Sequence, residues 1–322
     1  MVRRALITGI AGQDGSYLAE FLLGQAYAVY GLVRDETTDL SRIDPFIEQL
    51  QLLQGDLQNS KSLELALGVA RPHEVYNLAA QSGVHSSWGQ VLETGESNAL
   101  GVARLLETIR NVDPQIRFYQ ASTSELFGIA EVAPQAETTP FKPRTPYGVA
   151  KLYGHWLTAN YRQHYGLFAC CGILFNHESP RRGQNFVTRK ITRAVARIKL
   201  GLEDRLALGN LEARRDWGFA GDYVQAMWRM MQLQVPEDFV IGSGVDRSVR
   251  DFCSAAFAHA GLDWKSHVVV DPQFFRVEEG EILVGDIKKA REKLAWTPQT
   301  SFEDMVGMMV DSDLAELAGR AV

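Results

Sequence analysis

The sequence predicts an α/β protein: a doubly wound parallel sheet followed by a smaller, mixed α/β lobe. Short apolar runs alternate with helix-length segments through the first half of the chain, which is typical of successive βαβ units. A glycine-rich turn separates the first apolar run from the first helix-length segment. After about residue 176 the alternation becomes less regular, and this change marks the second lobe.

The predicted strands of the main sheet are short and rich in β-branched and apolar residues. They cover residues 5–8, 28–33, 50–54, 74–79, 117–121 and 168–174. The amphipathic segments between them are long enough for crossover helices and cover residues 16–25, 60–69, 98–111 and 147–165. In the second lobe we predict helices at 186–200, 219–232, 249–260 and 302–317, and a strand near Phe239–Ile241 that rejoins the main sheet.

The composition restricts the class of protein. The chain has 322 residues, of which 46% are apolar and 22% charged, with a net charge of −6. These values exclude a disordered or fibrous chain, and no apolar run approaches the roughly 18 residues of a membrane span. The N-terminus enters the first strand without the features of a secretory signal, so we expect a cytoplasmic protein that binds no membrane. Cys170, Cys171 and Cys253 have no metal-ligand spacing, and we expect them to pack in the interior and no metal to be bound.

The charge is unevenly distributed along the chain. Residues 176–216 hold ten basic and five acidic side chains, a net charge of +5, whereas the rest of the chain carries −11. Nucleic-acid binding usually requires a domain that is basic overall. The basic stretch therefore favours a small anionic ligand over nucleic acid.

Gly9, Gly12 and Gly15 follow the first strand in a GxxGxxG spacing and open a helix. Glycine permits a tight turn and a close approach of the backbone, and a helix N-terminus attracts phosphate. At the first strand–helix junction of an alternating chain, this spacing predicts a Rossmann-type dinucleotide site. Arg34 follows the second strand, and its guanidinium can bind a ribose 2′-phosphate, so we predict NADP; Asp35 next to it keeps NAD as the alternative.

Tyr147 and Lys151 stand four residues apart and share one face of a predicted helix. A nearby ammonium favours a phenolate, so we expect the pKa of Tyr147 to lie below its usual value near 10. Such a tyrosine can remove a hydroxyl proton while hydride passes to a nicotinamide. Thr123, Ser124 and Glu125 follow the fifth strand, at the sheet edge where enzymes of this class bind ligands.

Longer strings extend these motifs over nearly the whole chain. They are TGIAGQDG at 8–15, STSE at 122–125, GILFNHESPRRG at 172–183, FVTRK at 186–190, RRDWG at 214–218 and LAWTP at 294–298. With them the chain resembles the extended short-chain dehydrogenase/reductase superfamily and, within it, the GDP-mannose 4,6-dehydratase family.

The resemblance implies the division of the chain and its site residues. It implies an NADP-binding domain at residues 1–175 and a lobe at 176–322 that mainly binds a GDP-sugar. The implied catalytic residues are Thr123, Glu125, Tyr147 and Lys151. The implied cofactor contacts are Gly9, Ile10, Gly12, Gln13, Asp14, Arg34, Asp56, Leu57, Leu78, Ala79, Ala80, Gln81, Ser82, Lys151, His177 and Arg182. The implied substrate contacts are Ser82, Ser124, Glu125, Asn176, Asn185, Lys190, Arg215, Arg276 and Glu279.

The reaction implied by the resemblance converts GDP-mannose to GDP-4-keto-6-deoxymannose and water. Tyr147 would take the C4 hydroxyl proton beside Thr123, as hydride passes to NADP. Glu125 would then remove the C5 proton and deliver it to the departing C6 oxygen. Related nucleotide-sugar dehydratases carry an Asp-Glu pair where this chain has Ser124-Glu125, so one carboxylate would perform both transfers.

Alternatives remain within the same superfamily: another nucleotide-sugar 4,6-dehydratase, an epimerase or a 4-keto reductase. Epimerases and reductases generally lack a glutamate like Glu125, which favours the dehydratase. The exposed apolar face of the 147–165 helix resembles the dimer contact of the superfamily and implies a homodimer or homotetramer. The chain departs from the family pattern at three places: the short acidic loop that follows Arg34, the residue Gly83, and residues 276–281. At Gly83 we expect a wider sugar pocket.

Overall fold

A computed structural model describes residues 2–275 and 283–319 of the chain. Its centre is a parallel sheet of seven strands in the order β10-β6-β5-β4-β1-β2-β3. These strands are β1 Arg4–Thr8, β2 Ala28–Val33, β3 Leu50–Gln54, β4 Glu74–Asn77, β5 Arg117–Thr123, β6 Ala169–Leu174 and β10 Phe239–Ile241. The order reverses between β1 and β4, and ligands of doubly wound sheets bind at such a switch point.

Helices cover both faces of this sheet because neighbouring strand residues point to opposite sides. The helices are α1 Gln13–Gly24, α2 Ser60–Ala70, α3 Val91–Gly95, α4 Gly101–Val112, α5 Pro146–Tyr165, α6 Val187–Lys199, α7 Ala220–Met231, α8 Val249–His259, α9 Lys288–Leu294 and α10 Phe302–Leu317. Ile7 of β1 packs with α1 and α7, whereas its neighbour Leu6 packs with α2 and α4. Both faces of the sheet are therefore buried.

The second lobe surrounds Trp217, which packs against α6, α8 and α10. Two small sheets accompany these helices. One contains β7 Asn176–Glu178, β9 Arg214–Phe219 and β11 Asp246–Ser248, and the other pairs β8 Leu206–Leu208 with β12 Val268–Val270. β7 follows β6 after a single residue, so the lobe begins directly at the carboxyl edge of the main sheet.

The structure confirms the predicted main strands and long helices to within a few residues. The helix expected at 98–111 is wrong at its start, because Glu96–Leu100 forms a π-helical turn and α4 begins at Gly101. In that turn the side-chain amide of Asn98 makes two hydrogen bonds to the backbone of Gln81. Its oxygen accepts from the Gln81 N–H at 2.9 Å, and its nitrogen donates to the Gln81 carbonyl at 2.8 Å. In residues 2–275 and 283–319, no helix is both long and apolar enough to cross a membrane.

Candidate active site

The turn between β1 and α1 packs backbone closely against backbone and leaves helix amides free. Gly9 has φ +71°, and a Cβ added there would lie 2.8 Å from the Ala79 nitrogen. A Cβ at Gly15 would lie 2.2 Å from the Gly9 oxygen. Gly12 precedes the helix and provides no side-chain cap, so the first amides of α1 remain available to an anion. The turn fits the phosphates of a dinucleotide.

The carboxyl ends of β1, β4, β5 and β6 surround a cavity of about 150 Å³. It brings together many of the predicted site residues: Asp14, Leu78, Ala80, Ser82, Thr123, Ser124, Glu125, Tyr147, Lys151, Asn176, His177 and Arg182. Six further residues line the cavity although the sequence did not predict them as site residues: Val84, Ala121, Ser122, Leu174, Phe175 and Phe186. Residues from both lobes therefore share one cavity.

The pair Tyr147 and Lys151 lies in this cavity on the first turns of α5. Pro146 occupies the first helical position, and the Thr145 side chain accepts a hydrogen bond from the Gly148 amide at 3.0 Å. The Lys151 Nζ donates to the Ala121 carbonyl at 3.1 Å and lies 5.8 Å from the centre of the Tyr147 ring.

The expected lowering of the Tyr147 pKa is wrong for this structure. Burial raises the pKa of Tyr147 to about 12, although a hydrogen bond with Thr123 and the charge of Arg182 oppose that rise. The Lys151 ammonium is turned to a carbonyl and does not offset the burial. Burial also lowers the pKa of Lys151 to about 8, so this side chain can exchange a proton near neutral pH.

Asp14 and His177 form an ion pair at the cavity wall. The His177 Nε2 lies 2.8 Å from Asp14 Oδ2, and its Nδ1 lies 2.7 Å from the Phe175 carbonyl. Both partners are acceptors, so both ring nitrogens donate and the imidazole is charged. Burial opposes both charges, but the pKa of His177 is raised by Asp14, and that of Asp14 is lowered to about 2 by His177 and by hydrogen bonds from His177 and Gln13.

Arg182 is held in the cavity by contacts that the sequence did not predict. Its Nε lies 3.0 Å from Oε2 of Glu178, and its guanidinium carbon lies 3.6 Å from the centre of the Phe186 ring. The Thr188 hydroxyl also donates to Glu178 at 2.5 Å. Burial raises the pKa of Glu178, and the charge of Arg182 opposes that rise. A buried carboxylate and an aromatic face thus fix the direction of this arginine.

The model of the GDP-mannose 4,6 dehydratase family matches residues 6–309 of the chain. The chain belongs to this family. It is 52% identical over 98% of its length to GDP-mannose 4,6 dehydratase 1 of Arabidopsis thaliana, covering 91% of that protein. It is 47% identical over 96% of its length to the human GDP-mannose 4,6 dehydratase, covering 91% of it. A structure of UDP-glucose 4-epimerase from Thermus thermophilus in complex with NAD matches 96% of the chain and 98% of the epimerase, with 25% identity and a TM-score of 0.84.

Several residues to which the family resemblance assigned cofactor contacts do not line the first cavity. Ile10 is buried in the core, so only its backbone can meet a ligand. Gln13 donates to Asp14 at 3.0 Å and to the His177 carbonyl at 3.1 Å. Arg34 is exposed at the end of β2, and Leu57 is buried in the core. The others are Gly9, Gly12, Asp56, Ala79 and Gln81.

The substrate residues that the family resemblance assigned to the second lobe are spread more widely. Lys190 lines a second cavity of about 370 Å³ with Gln184, Arg193 and Arg205, and donates to the Ala207 carbonyl at 2.9 Å. Asn185 is exposed and lies in sequence between Gln184 of the second cavity and Phe186 of the first.

Three further predictions have different outcomes in this family member. Arg215 lines neither cavity and donates to the Arg214 carbonyl at 2.7 Å. Arg276 and Glu279 lie outside the described residues, as does the whole departure at 276–281. Gly83 does not widen the first cavity, because a Cβ there would lie 2.1 Å from the Ser86 hydroxyl and Gly83 does not line the cavity.

Proposed function

We propose that this chain is a GDP-mannose 4,6-dehydratase, a carbon–oxygen lyase that converts GDP-mannose to GDP-4-keto-6-deoxymannose and water. The observation that carries the proposal is the convergence of Thr123, Glu125, Tyr147 and Lys151 on one cavity. Relatives that carry this name are 52% and 47% identical over nearly the whole chain.

A nicotinamide cofactor supplies the redox chemistry when bound, by accepting hydride from C4 of the sugar and returning it to C6. Tyr147 must act on the C4 hydroxyl as a phenolate, and its pKa near 12 makes that form rare without a nearby cation. The Lys151 Nζ lies 5.8 Å from the centre of the Tyr147 ring and has a pKa of about 8, so we assign to Lys151 the exchange of the phenol proton. Thr123 holds the phenol oxygen by a hydrogen bond.

Glu125 is assigned the elimination step. A ketone at C4 acidifies the C5 hydrogen, because the resulting negative charge spreads onto the C4 oxygen. The Glu125 carboxylate takes this proton and delivers it to the C6 oxygen, which leaves as water. When hydride returns to C6, C5 takes up a proton, and the one that Tyr147 removed from the C4 hydroxyl balances it. Ser124, the neighbour of Glu125, has a hydroxyl in place of a second carboxylate, so the same proton serves both transfers by Glu125.

We propose NADP as the cofactor on the basis of the loop after β2. The Asp35 carboxylate accepts hydrogen bonds from the Thr37 amide and hydroxyl at 2.9 and 2.6 Å, so it is committed to its own turn. Arg34 is exposed at the strand end, where its guanidinium can meet a 2′-phosphate.

Arg34→Ala should weaken NADP binding by about tenfold or more and leave NAD binding within about twofold. Calorimetric titration with both cofactors measures this, and equal losses would contradict it.

We also propose that residues 1–175 bind mainly the cofactor and residues 176–322 mainly the GDP-sugar. The basic second cavity, with Lys190, Arg193 and Arg205, supports a diphosphate site in the second lobe. We propose a homodimer as well, because Val149, Tyr153 and Trp156 form an exposed stripe on α5 beside exposed Leu92 of α3. A homotetramer would need a second contact.

Mass spectrometry of the products tests the proposed reaction. The protein is incubated with NADP and GDP-mannose, UDP-glucose or dTDP-glucose. Loss of one water from GDP-mannose without net consumption of reduced cofactor is the expected result. An isomer of unchanged mass that separates from the substrate by chromatography would indicate an epimerase. In a parallel incubation with NADPH, a product reduced at the expense of that cofactor would indicate a keto reductase. Unchanged GDP-mannose would overturn the proposal.

A further inference from the structure

Three side chains of α5 bind the last three residues of β5. Tyr147, Lys151 and His155 are spaced by four residues and therefore lie in a row on one face of the helix. Lys151 donates to the carbonyl of Ala121, and Tyr147 shares a hydrogen bond with Thr123. Ser122 stands between these two strand residues, and its Oγ lies 2.9 Å from the Nδ1 of His155. His155 thus continues the row of the two proposed catalytic residues.

The surroundings of His155 indicate that its hydrogen bond to Ser122, and not packing, accounts for a histidine at this position. The ring is 3% exposed and packs edge-on against Phe141 and Trp156, with ring centres 5.1 and 5.5 Å apart. Burying a polar ring against aromatic side chains is unfavourable unless the ring is hydrogen-bonded. A phenylalanine would fill the same space at lower cost, so packing alone does not account for a histidine here.

The imidazole is surrounded by few charges. Burial lowers its pKa, the Arg162 guanidinium lowers it further, and the Asp238 carboxylate raises it. Arg162 and Asp238 already pair with each other at 2.6 Å. The ring is therefore neutral near pH 7 and offers Ser122 one hydrogen-bonding nitrogen in a fixed position.

Ser122 is the side of this pair that meets the cavity. It lines the same cavity as Thr123, Tyr147 and Lys151, and only 4% of its surface is exposed. A serine hydroxyl can rotate. A hydrogen bond from another protein side chain therefore fixes the direction in which the hydroxyl can still donate to or accept from a ligand. His155 supplies that contact from the helix.

We propose that His155 is a positioning residue of this active site, which holds the Ser122 hydroxyl for contact with the ligand bound between Tyr147 and Lys151. This inference rests on the proposed function only in its kinetic test, which measures the turnover of GDP-mannose. The ligand contact is made by Ser122, and His155 acts through it.

Steady-state kinetics with GDP-mannose test the coupling of the two residues. Ser122→Ala and His155→Phe should each lower kcat about five- to tenfold and leave KM within about twofold, which is the size expected for one hydrogen bond. The double variant should be no slower than either single variant, because both remove the same interaction. His155→Asn retains an amide near the Nδ1 position and should recover most of kcat. Independent, multiplying losses in the double variant, or an unchanged kcat in Ser122→Ala, would overturn the proposal.

A matched control separates positioning from stability. Thr158 is fully buried one turn further along α5, and its hydroxyl donates to the Gly154 carbonyl at 2.8 Å. Thr158→Val should lower Tm to a similar extent as Ser122→Ala and leave kcat unchanged. If Thr158→Val lowers kcat as much as His155→Phe does, general loosening of the helix explains the effect and the proposal is wrong.

A spectroscopic readout distinguishes failure of this inference from failure of the proposed function. In ¹⁵N-labelled protein, the His155 ring signals are those missing from His155→Phe. Addition of NADP and GDP should shift them in the wild type and not in Ser122→Ala, because the ring senses the ligand through Ser122. An inactive wild type that shows these shifts would overturn the proposed reaction and leave the pair supported. No shift in the wild type would overturn the pair itself.

Discussion

Glu125 lies in the first turn after β5, where Thr123 Oγ1 accepts a hydrogen bond from its amide at 3.2 Å. Replacing its carboxylate by an amide keeps the shape but removes the group that accepts the C5 proton. We expect Glu125→Gln to keep NADP affinity within about twofold and to lower kcat by about 10²- to 10⁴-fold, the usual contribution of a general base. Titration with NADP and mass spectrometry of the sugar product measure the two properties.

Glu131 provides the matched control for this variant. It is an exposed glutamate close in sequence, and its carboxylate pairs with Lys142 on the surface. Glu131→Gln should leave kcat and NADP affinity unchanged. Wild-type turnover in Glu125→Gln, or an equal loss in Glu131→Gln, would remove Glu125 from the elimination step.

The Asp14–His177 pair predicts a dependence of stability on pH. The folded protein lowers the carboxyl pKa from 3.8 to about 2 and raises the imidazole pKa above 6.5. The carboxylate therefore stabilises the fold above pH 3.8 and loses this effect toward pH 2. The imidazolium stabilises it below pH 6.5 and loses this effect as the pH rises through its folded pKa.

His177→Gln should consequently lower the free energy of unfolding most between about pH 4 and 6.5, and less at pH 9. Urea unfolding of wild type and variant at pH 5, 7 and 9 measures the difference. His164 is exposed and makes no ion pair among the described residues, so His164→Gln should show no such trend. A loss in His177→Gln that is constant from pH 5 to 9 would show that the pair is not charged.

At the scale of elements, the β1–α1 turn depends on its first glycine. A side chain at Gly9 would require φ +71° and would collide with the Ala79 backbone, which follows β4. Left-handed backbone costs about 1–2 kcal/mol for a residue with a Cβ, and the collision adds to that cost. We expect Gly9→Ala to lower the free energy of unfolding by about 2 kcal/mol or more and to abolish cofactor binding, as measured by urea unfolding and NADP titration.

Gly24, at the other end of α1, is the control for this substitution. A Cβ there meets no atom within 4 Å, and its φ is not positive. Gly24→Ala should be neutral or stabilise the protein by up to about 1 kcal/mol, because alanine restricts the unfolded chain. If the two variants were equally stable and both bound NADP, the turn would not need its glycine.

The long elements could be predicted because each carries its own periodicity, as α6 does with apolar residues such as Ile191, Val195 and Ile198 on its buried face. Three-residue strands such as β8 and β12 are too short for a pattern and exist because they pair with each other. The site residues also differ in whether the sequence alone could predict them. Tyr147 and Lys151 lie four residues apart in sequence, whereas Ser122 and His155 meet across 33 residues. The position of His155, four residues after Lys151, was the one available signal.

At the scale of the whole molecule, a buried carboxylate joins the lobe to the main sheet. Asp216 of β9 accepts hydrogen bonds from the amides of Ser243, Gly244 and Gly285, at 2.7 to 3.0 Å. Ser243 and Gly244 follow β10, the last strand of the main sheet. Asp216 therefore fixes the lobe at the edge where the first cavity opens. Its three partners come from segments far from β9 in sequence, so the motif RRDWG alone did not reveal this role.

Assembly of two chains is the remaining prediction. Val149, Tyr153 and Trp156 are 56%, 46% and 53% exposed and follow one another on the outer face of α5. Such a contiguous apolar stripe is unfavourable in water, so we expect it to be covered in a homodimer. Trp156→Glu would place a charge inside that contact and should convert the dimer to a monomer in analytical ultracentrifugation. Leu65 is a matched control, because it is 63% exposed on α2 and Leu65→Glu should leave the dimer intact. A wild type that sediments as a monomer at micromolar concentration, or a Trp156→Glu variant that remains a dimer, would show that this face is not the contact.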